Sequence, residues 1–342
     1  MRGDVDQEEI AEPAARGRAA EVGGVSAVMV SWNTGPVLFE AIEAALAAPD
    51  IDELILVDHE NPPEHVRRLD EIAAAEPRLT LIRTGANLGF SRGCNIGAKA
   101  ATQPHLLFLN PDALIAPGTA ERLALSGASL RKPWIAGARI LDIDGEEQRG
   151  GRRGPLTLWT AFVSMVGLSR LAGVSPLFRD MHRETEPTPD AMIETETVSG
   201  AAMMTTSAHF EALGGFDEGY FLHVEDVDLC RRAREAGGEV VFEPRAEVVH
   251  YGATSKAGVF AVERAKARGL ARYFWKYASG PGRIGAALAI PAVVLAVMAR
   301  AALLKAGWGI GLAKRRRQAL KRLARRRRAV EGAETRVEEQ AR

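Results

Sequence analysis

The stretch that most constrains this chain is His105-Leu-Leu-Phe-Leu-Asn-Pro-Asp112. Four consecutive apolar residues, Leu106 to Leu109, read as a short strand buried on both faces, as in a sheet covered by helices. Pro111 has no N–H to give a ladder, so pairing stops there and Asp112 is left at the carboxyl end of the strand. Ligands of open α/β sheets bind outside those ends. A carboxylate there can hold a hard divalent cation, and the cation can hold a diphosphate. Taken alone, the same aspartate could simply cap a turn.

The neighbouring segments alternate between the periods of strand and helix. Val25 to Ser31 opens the fold as a strand, and Trp32-Asn-Thr-Gly-Pro36 turns into a helix over Val37 to Ala47. Glu53 to Asp58 is a second buried strand ending in an acid, and His65 to Ala75 a second helix. Leu79 to Arg83, Gly89 to Ala101, Leu106 to Leu109, Pro117 to Leu130 and Trp134 to Leu141 continue the alternation. This βαβα order implies a mostly parallel sheet with helices on both faces. Asp58 and Asp112 then end strands of one sheet and face one crevice. Between them, Gly89 and Gly93 in Asn87-Leu-Gly-Phe-Ser-Arg-Gly-Cys-Asn95 allow close backbone approach, and the following helix can aim its N-terminus at an anion. No G-x-G-x-x-G follows the first strand, so this is not a dinucleotide fingerprint.

Residues 142–190 break the rhythm. They are rich in Gly, Arg and Pro, with an apolar patch from Leu156 to Leu171, and read as a long excursion or lid holding a short helix. Order returns with Thr195 to Thr206 as strand, Ser207 to Leu213 as a short helix and Gly214 to Tyr220 as a turn-rich loop. From Val224 a helix runs to the stop at Gly237 and Gly238. Glu225, Asp226 and Asp228 crowd its first turn, where the helix dipole alone would favour them. Glu239 to Glu243 and Glu247 to His250 read as two more strands.

The ordered set Val30-Ser-Trp-Asn33, Asp58, Asn87-Leu-Gly-Phe90 with Gly93 and Asn95, Asn110-Pro-Asp112, Gly214-Gly-Phe-Asp217, Glu225-Asp226 and His250 resembles a family 2 glycosyltransferase of the GT-A fold, from about Val25 to Tyr251. Asn-Leu-Gly-Phe followed by Leu-Asn-Pro-Asp, together with Arg272-Tyr-Phe-Trp-Lys-Tyr277, is similar to the rhamnosyltransferase-like branch. Two departures stand out. The family usually has Asp-Asn after the second strand, where this chain has Asp58-His-Glu-Asn-Pro-Pro63, and Asn110 replaces the first acid of the usual Asp-x-Asp.

The resemblance implies an inverting, metal-dependent transferase. Its nucleotide-sugar contacts would be Ser31, Asn33, Asp58, Asn87, Gly89, Phe90, Gly93, Asn95, Asn110 and Asp112. Mg2+ or Mn2+ would sit on Asp112 and His250, and Asp226, with Glu225 beside it, would take the acceptor's proton. The donor implied is dTDP-L-rhamnose, and the acceptor a cell-envelope polysaccharide or polyprenyl-diphosphate-linked glycan. A nucleotidyltransferase would need a basic, Gly-rich loop after the first strand, and Trp32 to Pro36 has no Lys or Arg. A non-catalytic sugar-nucleotide-binding subunit of an assembly complex would share most of these residues, and the altered Asp58 loop keeps it in play.

Charge and cysteine content bear on where such a chain works. The formal net charge is zero, yet Lys314 to Arg328 holds ten Lys or Arg and no acid. Cys94 and Cys230 give no metal spacing and no disulfide framework, which fits a reducing compartment. Residues 1–24 read as a disordered lead-in without a signal peptide's apolar core, 25–280 as the catalytic domain and 331–342 as a charged tail. Ile284 to Ala299 is uncharged but interrupted by Pro291, and is short for a membrane span unless extended past Arg300 to Leu304. With the basic block behind it, residues 281–330 read as membrane-associating helices drawn to an anionic surface. The expected placement is the cytoplasmic face of the cell membrane, with no nucleic-acid partner.

Overall fold

In the computed structural model, residues 23–252, 254–255 and 257–305 are described. The lead-in before Gly23, the basic block Lys314 to Arg328 and the charged tail lie outside them. The chain divides into two units, one ending at Lys256 and the other starting at Ala257.

The first unit is built on β1 (Val25–Ser31), β2 (Glu53–Asp58), β3 (Leu79–Arg83), β4 (His105–Leu109), β5 (Ala113–Ile115), β6 (Trp134–Leu141), β10 (Ala202–Thr206) and β11 (Glu239–His250). The sheet order is β3-β2-β1-β4-β10-β6-β11-β5, with β8 (Ile193–Glu194) paired to β11. The run β3-β2-β1-β4 is parallel, as the alternation implies. β10 enters antiparallel between β4 and β6, so the sheet is mixed.

Successive side chains of a strand point to opposite faces, and the two faces carry separate cores. Val25, Ala27 and Met29 of β1 and Leu107 and Leu109 of β4 pack on one face. That face is covered by α1 (Val37–Ala47), α2 (Pro63–Ala75) and α4 (Thr119–Ala128). Val28 and Val30 of β1 and Leu106 and Phe108 of β4 face the other side. There they meet α3 (Phe90–Ala100), α6 (Ser207–Ala212) and α7 (Glu225–Glu235). Leu106 to Leu109 are each at most 1% exposed, so the continuous apolar run follows from helices on both faces.

Two differences from the sequence reading matter for the site. The expected break between Glu243 and Glu247 is a bulge within one strand, β11, whose register against β6 shifts there because Pro244 cannot donate to the ladder. β5 begins immediately after Asp112 and pairs with the end of β11, placing Ala113 opposite His250. Three residues are too few for any periodic signal, so the sequence reading passes over this strand.

The excursion contains β7 (Arg152–Arg153), α5 (Leu158–Val166) and two 3-10 turns, Leu168–Leu171 and Pro176–Phe178. β7 pairs antiparallel with β9 (Thr197–Val198), which anchors the excursion's base. The second unit has α8 (Val259–Lys276) and α9 (Gly282–Lys305), which pack on each other. Gly282–Leu303 is long and apolar enough to cross a membrane by length and composition, and Pro291 lies inside the helix.

Candidate active site

The register of β5 on β11 brings His250 alongside Asp112. Its Nε2 is 3.1 Å from Asp112 Oδ1, with the two side chains 14% and 6% exposed. Thr254 donates its hydroxyl to the other carboxylate oxygen at 2.8 Å. Burial pushes the Asp112 carboxyl up, but the His250 hydrogen bond and charge and the Thr254 donors outweigh it and hold the group below its ordinary value.

The tautomer of His250 follows from its other side. Gln148 donates its amide N–H to the His250 carbonyl at 2.7 Å, which turns its Oε1 toward His250 Nδ1, also 2.7 Å away. Nδ1 therefore carries the proton and Nε2 the lone pair in the neutral ring, consistent with Asn110 Nδ2 at 3.1 Å from Nε2. A lone pair and a carboxylate oxygen facing each other at that distance require a proton or a cation between them. Two ligands about 2.1 Å from an octahedral cation and at right angles stand about 3 Å apart, so the pair fits a Mg2+ or Mn2+ ion. Among the described residues there is no cluster of three or more His, Cys, Asp or Glu suited to a metal, so an ion held by this pair would take its other ligands from water or phosphate oxygens.

The three acids at the start of α7 have three different fates. Asp228 is fully buried and structural. Its Oδ1 accepts from Tyr220 at 3.1 Å and its Oδ2 from Arg232 at 2.8 Å, and Arg232 also donates to the carbonyls of Leu213 and Gly215. This pins the Gly214 to Tyr220 loop to the helix. Glu225 is buried, its Oε2 has no hydrogen-bond partner among the described residues, and burial together with the Asp226 charge pushes its pKa up to about 8. A neutral carboxyl is the form such a place tolerates.

Asp226 is held as a carboxylate. Its Oδ1 accepts from its neighbour's Val227 N–H at 2.8 Å, and its Oδ2 from the Gly200 N–H at 3.1 Å and from Arg153 Nη2. Burial raises it, but the Arg153 charge and these donors win and lower it. The backbone before the helix is strained, with His223 at φ 68° and Val224 at φ 75°, a left-handed conformation unusual for a β-branched residue.

Both halves meet around one turn and one strap. The Ala201 carbonyl accepts from Asn110 N–H at 2.9 Å, while the preceding residue, Gly200, donates to Asp226. Gln148 and Arg153 lie five residues apart at the base of the excursion, one orienting His250 and the other holding Asp226. Sequence reasoning missed Gln148, Arg153 and Thr254. They sit in segments without periodicity, and only tertiary contacts give them partners.

On the nucleotide side, Asp58 is buried at the end of β2 and accepts from Asn61 through both backbone N–H (3.0 Å) and side chain (2.8 Å). Asn61 also donates to Ser31 Oγ at 2.9 Å. The departure Asp58-His-Glu-Asn thus makes a closed turn of its own, with Glu60 at φ 59°. Asn33 stands at φ 50° with a buried Oδ1 that has no hydrogen-bond partner among the described residues. Asn87 Oδ1 accepts from Gly89 N–H at 3.0 Å, and Phe90 N–H donates to Phe221 O at 2.8 Å, so two donors at the start of α3 are engaged internally.

A Cβ on Gly93 would stand 2.6 Å from Val30 and 2.7 Å from His59, which makes this glycine a packing requirement. Asn95 brackets the Gly214 to Tyr220 loop by donating to Phe216 O and accepting from Phe216 N–H, both at 2.9 Å. Ser31, Asn33, Asp58 and Asn110 therefore lie at strand ends, whereas Gly93 and Asn95 brace the elements behind them.

The fate of Glu225 makes stability pH-dependent. A carboxyl neutral in the fold and ionised in the unfolded chain costs stability as pH rises from about 4.5, the ordinary glutamate range, to about 8. Glu225→Gln is expected to flatten that fall by a few kcal/mol, since each pH unit is worth about 1.4 kcal/mol. Urea denaturation of both chains at pH 5 and pH 8 checks it, and parallel curves would show that Glu225 is ionised in the fold.

Comparison with known proteins identifies relatives of the chain. Residues 26–163 match the profile "Glycosyl transferase family 2" and residues 182–271 the profile "Glycosyltransferase like family 2". An N-acetylglucosaminyl-diphospho-decaprenol L-rhamnosyltransferase of Mycobacterium tuberculosis is 28% identical over 245 residues, covering 67% of this chain and 76% of its own. Rhamnosyltransferase WbbL of Escherichia coli K12 is 36% identical over 67 residues, 18% of this chain and 25% of its own. Among solved structures, GalNAc-T7 with UDP, GalNAc and Mn2+ matches with a TM-score of 0.51 at 18% identity, over 67% of this chain and 43% of that one. The mannosyltransferase PcManGT of Pyrobaculum calidifontis, in complex with GDP-Man and Mn2+, matches with a TM-score of 0.50 at 17% identity, over 86% of this chain and 82% of that one. These structural likenesses show the GT-A fold alone. With both profiles on the strand-end acids and the α7 carboxylates, the chain belongs to glycosyltransferase family 2, is an enzyme, and is similar to the family's rhamnosyltransferase-like branch.

Proposed function

We propose that the enzyme transfers L-rhamnose from dTDP-L-rhamnose, with inversion, to a polyprenyl-diphosphate-linked glycan at the cytoplasmic face of the membrane. The observation that carries the reading is the placement of two carboxylates with opposite tasks around the Gly200-Ala201 turn: Asp112 paired with His250, and Asp226 held ionised by Arg153. The relative from Mycobacterium tuberculosis supports the sugar and the lipid-linked acceptor through its name.

Asp112 and His250 would hold Mg2+ or Mn2+, and the two structural neighbours GalNAc-T7 and PcManGT were solved with Mn2+. Such an ion, when bound, neutralises charge building on the leaving diphosphate. Gln148 keeps the His250 lone pair directed at Asp112. The unpartnered Asn33 Oδ1 offers an acceptor to an N–H of the donor, and Asp58 stays available through Oδ2, 3.6 Å from Arg83 Nε. Asp226 accepts the proton of the acceptor hydroxyl as it attacks the anomeric carbon, and its low pKa keeps it ready at neutral pH. Glu225, neutral beside it, adds no competing charge.

The donor is the finer part of the proposal and is tested by a panel. Purified full-length enzyme, Mn2+ and a polyprenyl-diphosphate-linked acceptor are expected to release nucleoside diphosphate from dTDP-L-rhamnose and not from UDP-glucose or UDP-galactose. Release from a UDP-hexose alone would overturn the donor and keep the transferase. The product's anomeric configuration, read by NMR, tests inversion. A binding subunit would retain the donor without releasing diphosphate.

A further inference from the structure

The first unit displays its large apolar side chains unevenly. Among its described residues, seven large hydrophobics are exposed, and five of them, Trp159, Phe162, Leu171, Val174 and Leu177, belong to the tip of the excursion. Val174 is 83% and Leu177 62% exposed. The tip is built rather than frayed. Trp159 donates its indole N–H to Leu177 O at 2.8 Å and its ring stands 5.7 Å from Phe162 and 6.3 Å from Phe178. Thr157 caps α5 with a reciprocal capping box, and the backbone between Leu171 and Val174 closes at 2.9 Å. Ala161 and Val163 point inward, so α5 has a buried side and an apolar side left without cover.

Charge says what covers it. From Trp159 to Arg179 the chain has no acid, and Arg170 and Arg179 are exposed at the rim of the apolar tip. An aromatic and aliphatic surface with a tryptophan and flanking arginines matches a lipid interface, where the rings sit at headgroup level and the cations meet anionic headgroups. A water-soluble protein partner would more often be met by a polar rim of both signs.

We propose that the excursion tip formed by Trp159, Phe162, Leu171, Val174 and Leu177 docks on the surface of an anionic bilayer. The same excursion carries Arg153 to Asp226 and Gln148 to His250. Docking its tip therefore brings to the phase in which a prenyl-anchored acceptor lies the segment whose Arg153 holds Asp226. This deepens the lipid-linked reading above and assigns the contact to the catalytic unit itself, independently of the apolar helix and basic block that follow it.

The test uses the full chain and an environment-sensitive probe. Cys94 and Cys230 are both free and buried, and burial pushes the Cys230 thiol up to about 12, so a maleimide dye reacts at an introduced exposed cysteine. Val174→Cys labelled with an NBD dye reports on the tip. Leu125→Cys, equally labelled, reports on an exposed apolar position of α4 outside the excursion. Vesicles of phosphatidylcholine with phosphatidylglycerol are expected to blue-shift and brighten the dye at position 174 and to leave it unchanged at position 125. Pure phosphatidylcholine vesicles are expected to give a weaker change, and high salt to reduce the anionic one.

Flotation of the chain with anionic vesicles while the dye at position 174 stays in water would overturn the inference, because attachment would then lie elsewhere. An equal shift at both positions would overturn it as well, since the tip would not be the docking face. The readout needs no turnover. Absence of sugar transfer with a shifted dye would sink the proposed reaction and leave the docking surface standing, while transfer with an unshifted dye would do the reverse.

Discussion

Asp226→Asn is expected to fold like the parent, to bind the sugar nucleotide with unchanged affinity and to lose transfer by roughly a hundredfold or more, the usual scale for removing a general base. The amide keeps the shape, but its single oxygen can accept from only one of the Gly200 and Val227 N–H groups, which meet different carboxylate oxygens, and it cannot take a proton. Arg153 then faces a neutral partner and loses its ion pair, so some destabilisation accompanies the change. Calorimetric donor binding alongside single-turnover transfer separates the two effects. Glu225→Gln is expected to be milder, because that carboxyl is already neutral and buried near Cys94, whose thiol it helps push up. The reverse ranking would transfer the base to Glu225. Small effects from both would favour a binding subunit whose acids serve only the helix dipole.

The second large effect is expected at Asp112. Asp112→Asn leaves the neutral imidazole of His250 as the one remaining side-chain ligand of the pair and removes the charge that attracts a divalent ion. Mn2+ affinity, followed by electron paramagnetic resonance without any turnover, is expected to fall by roughly a hundredfold, at least the scale seen when an outer partner of a metal ligand is lost. Transfer at limiting metal falls with it. His250→Ala is expected to weaken binding less, because the charged ligand stays. Wild-type Mn2+ affinity in Asp112→Asn would remove Asp112 from the metal site, and an unchanged titration in His250→Ala would make His250 a strand-end residue only.

Much of the fold was legible from local chemistry. Leu106 to Leu109 could only be a strand covered on both sides, and Pro111 had to end it. The alternation from Val25 to Leu141 implied helices on both faces of the sheet, and the structure assigned each helix to its face. The strand-end acids followed, because the carboxyl end of a parallel strand is determined once the strand is. What the sequence by itself determined is therefore the class of sheet, the edge outside its strand ends and the strand-end acids Asp58 and Asp112, whereas Asp226 was singled out only through the family resemblance. The tertiary structure decided which acid does what. Glu225, Asp226 and Asp228 share one helical turn, yet burial beside the Asp226 charge neutralises the first, Arg153 ionises the second, and Tyr220 and Arg232 lock the third into the scaffold. Those partners come from as far as 73 residues away in sequence, and a carboxylate's protonation state is set by the charges and donors that surround it in space, which no local pattern encodes.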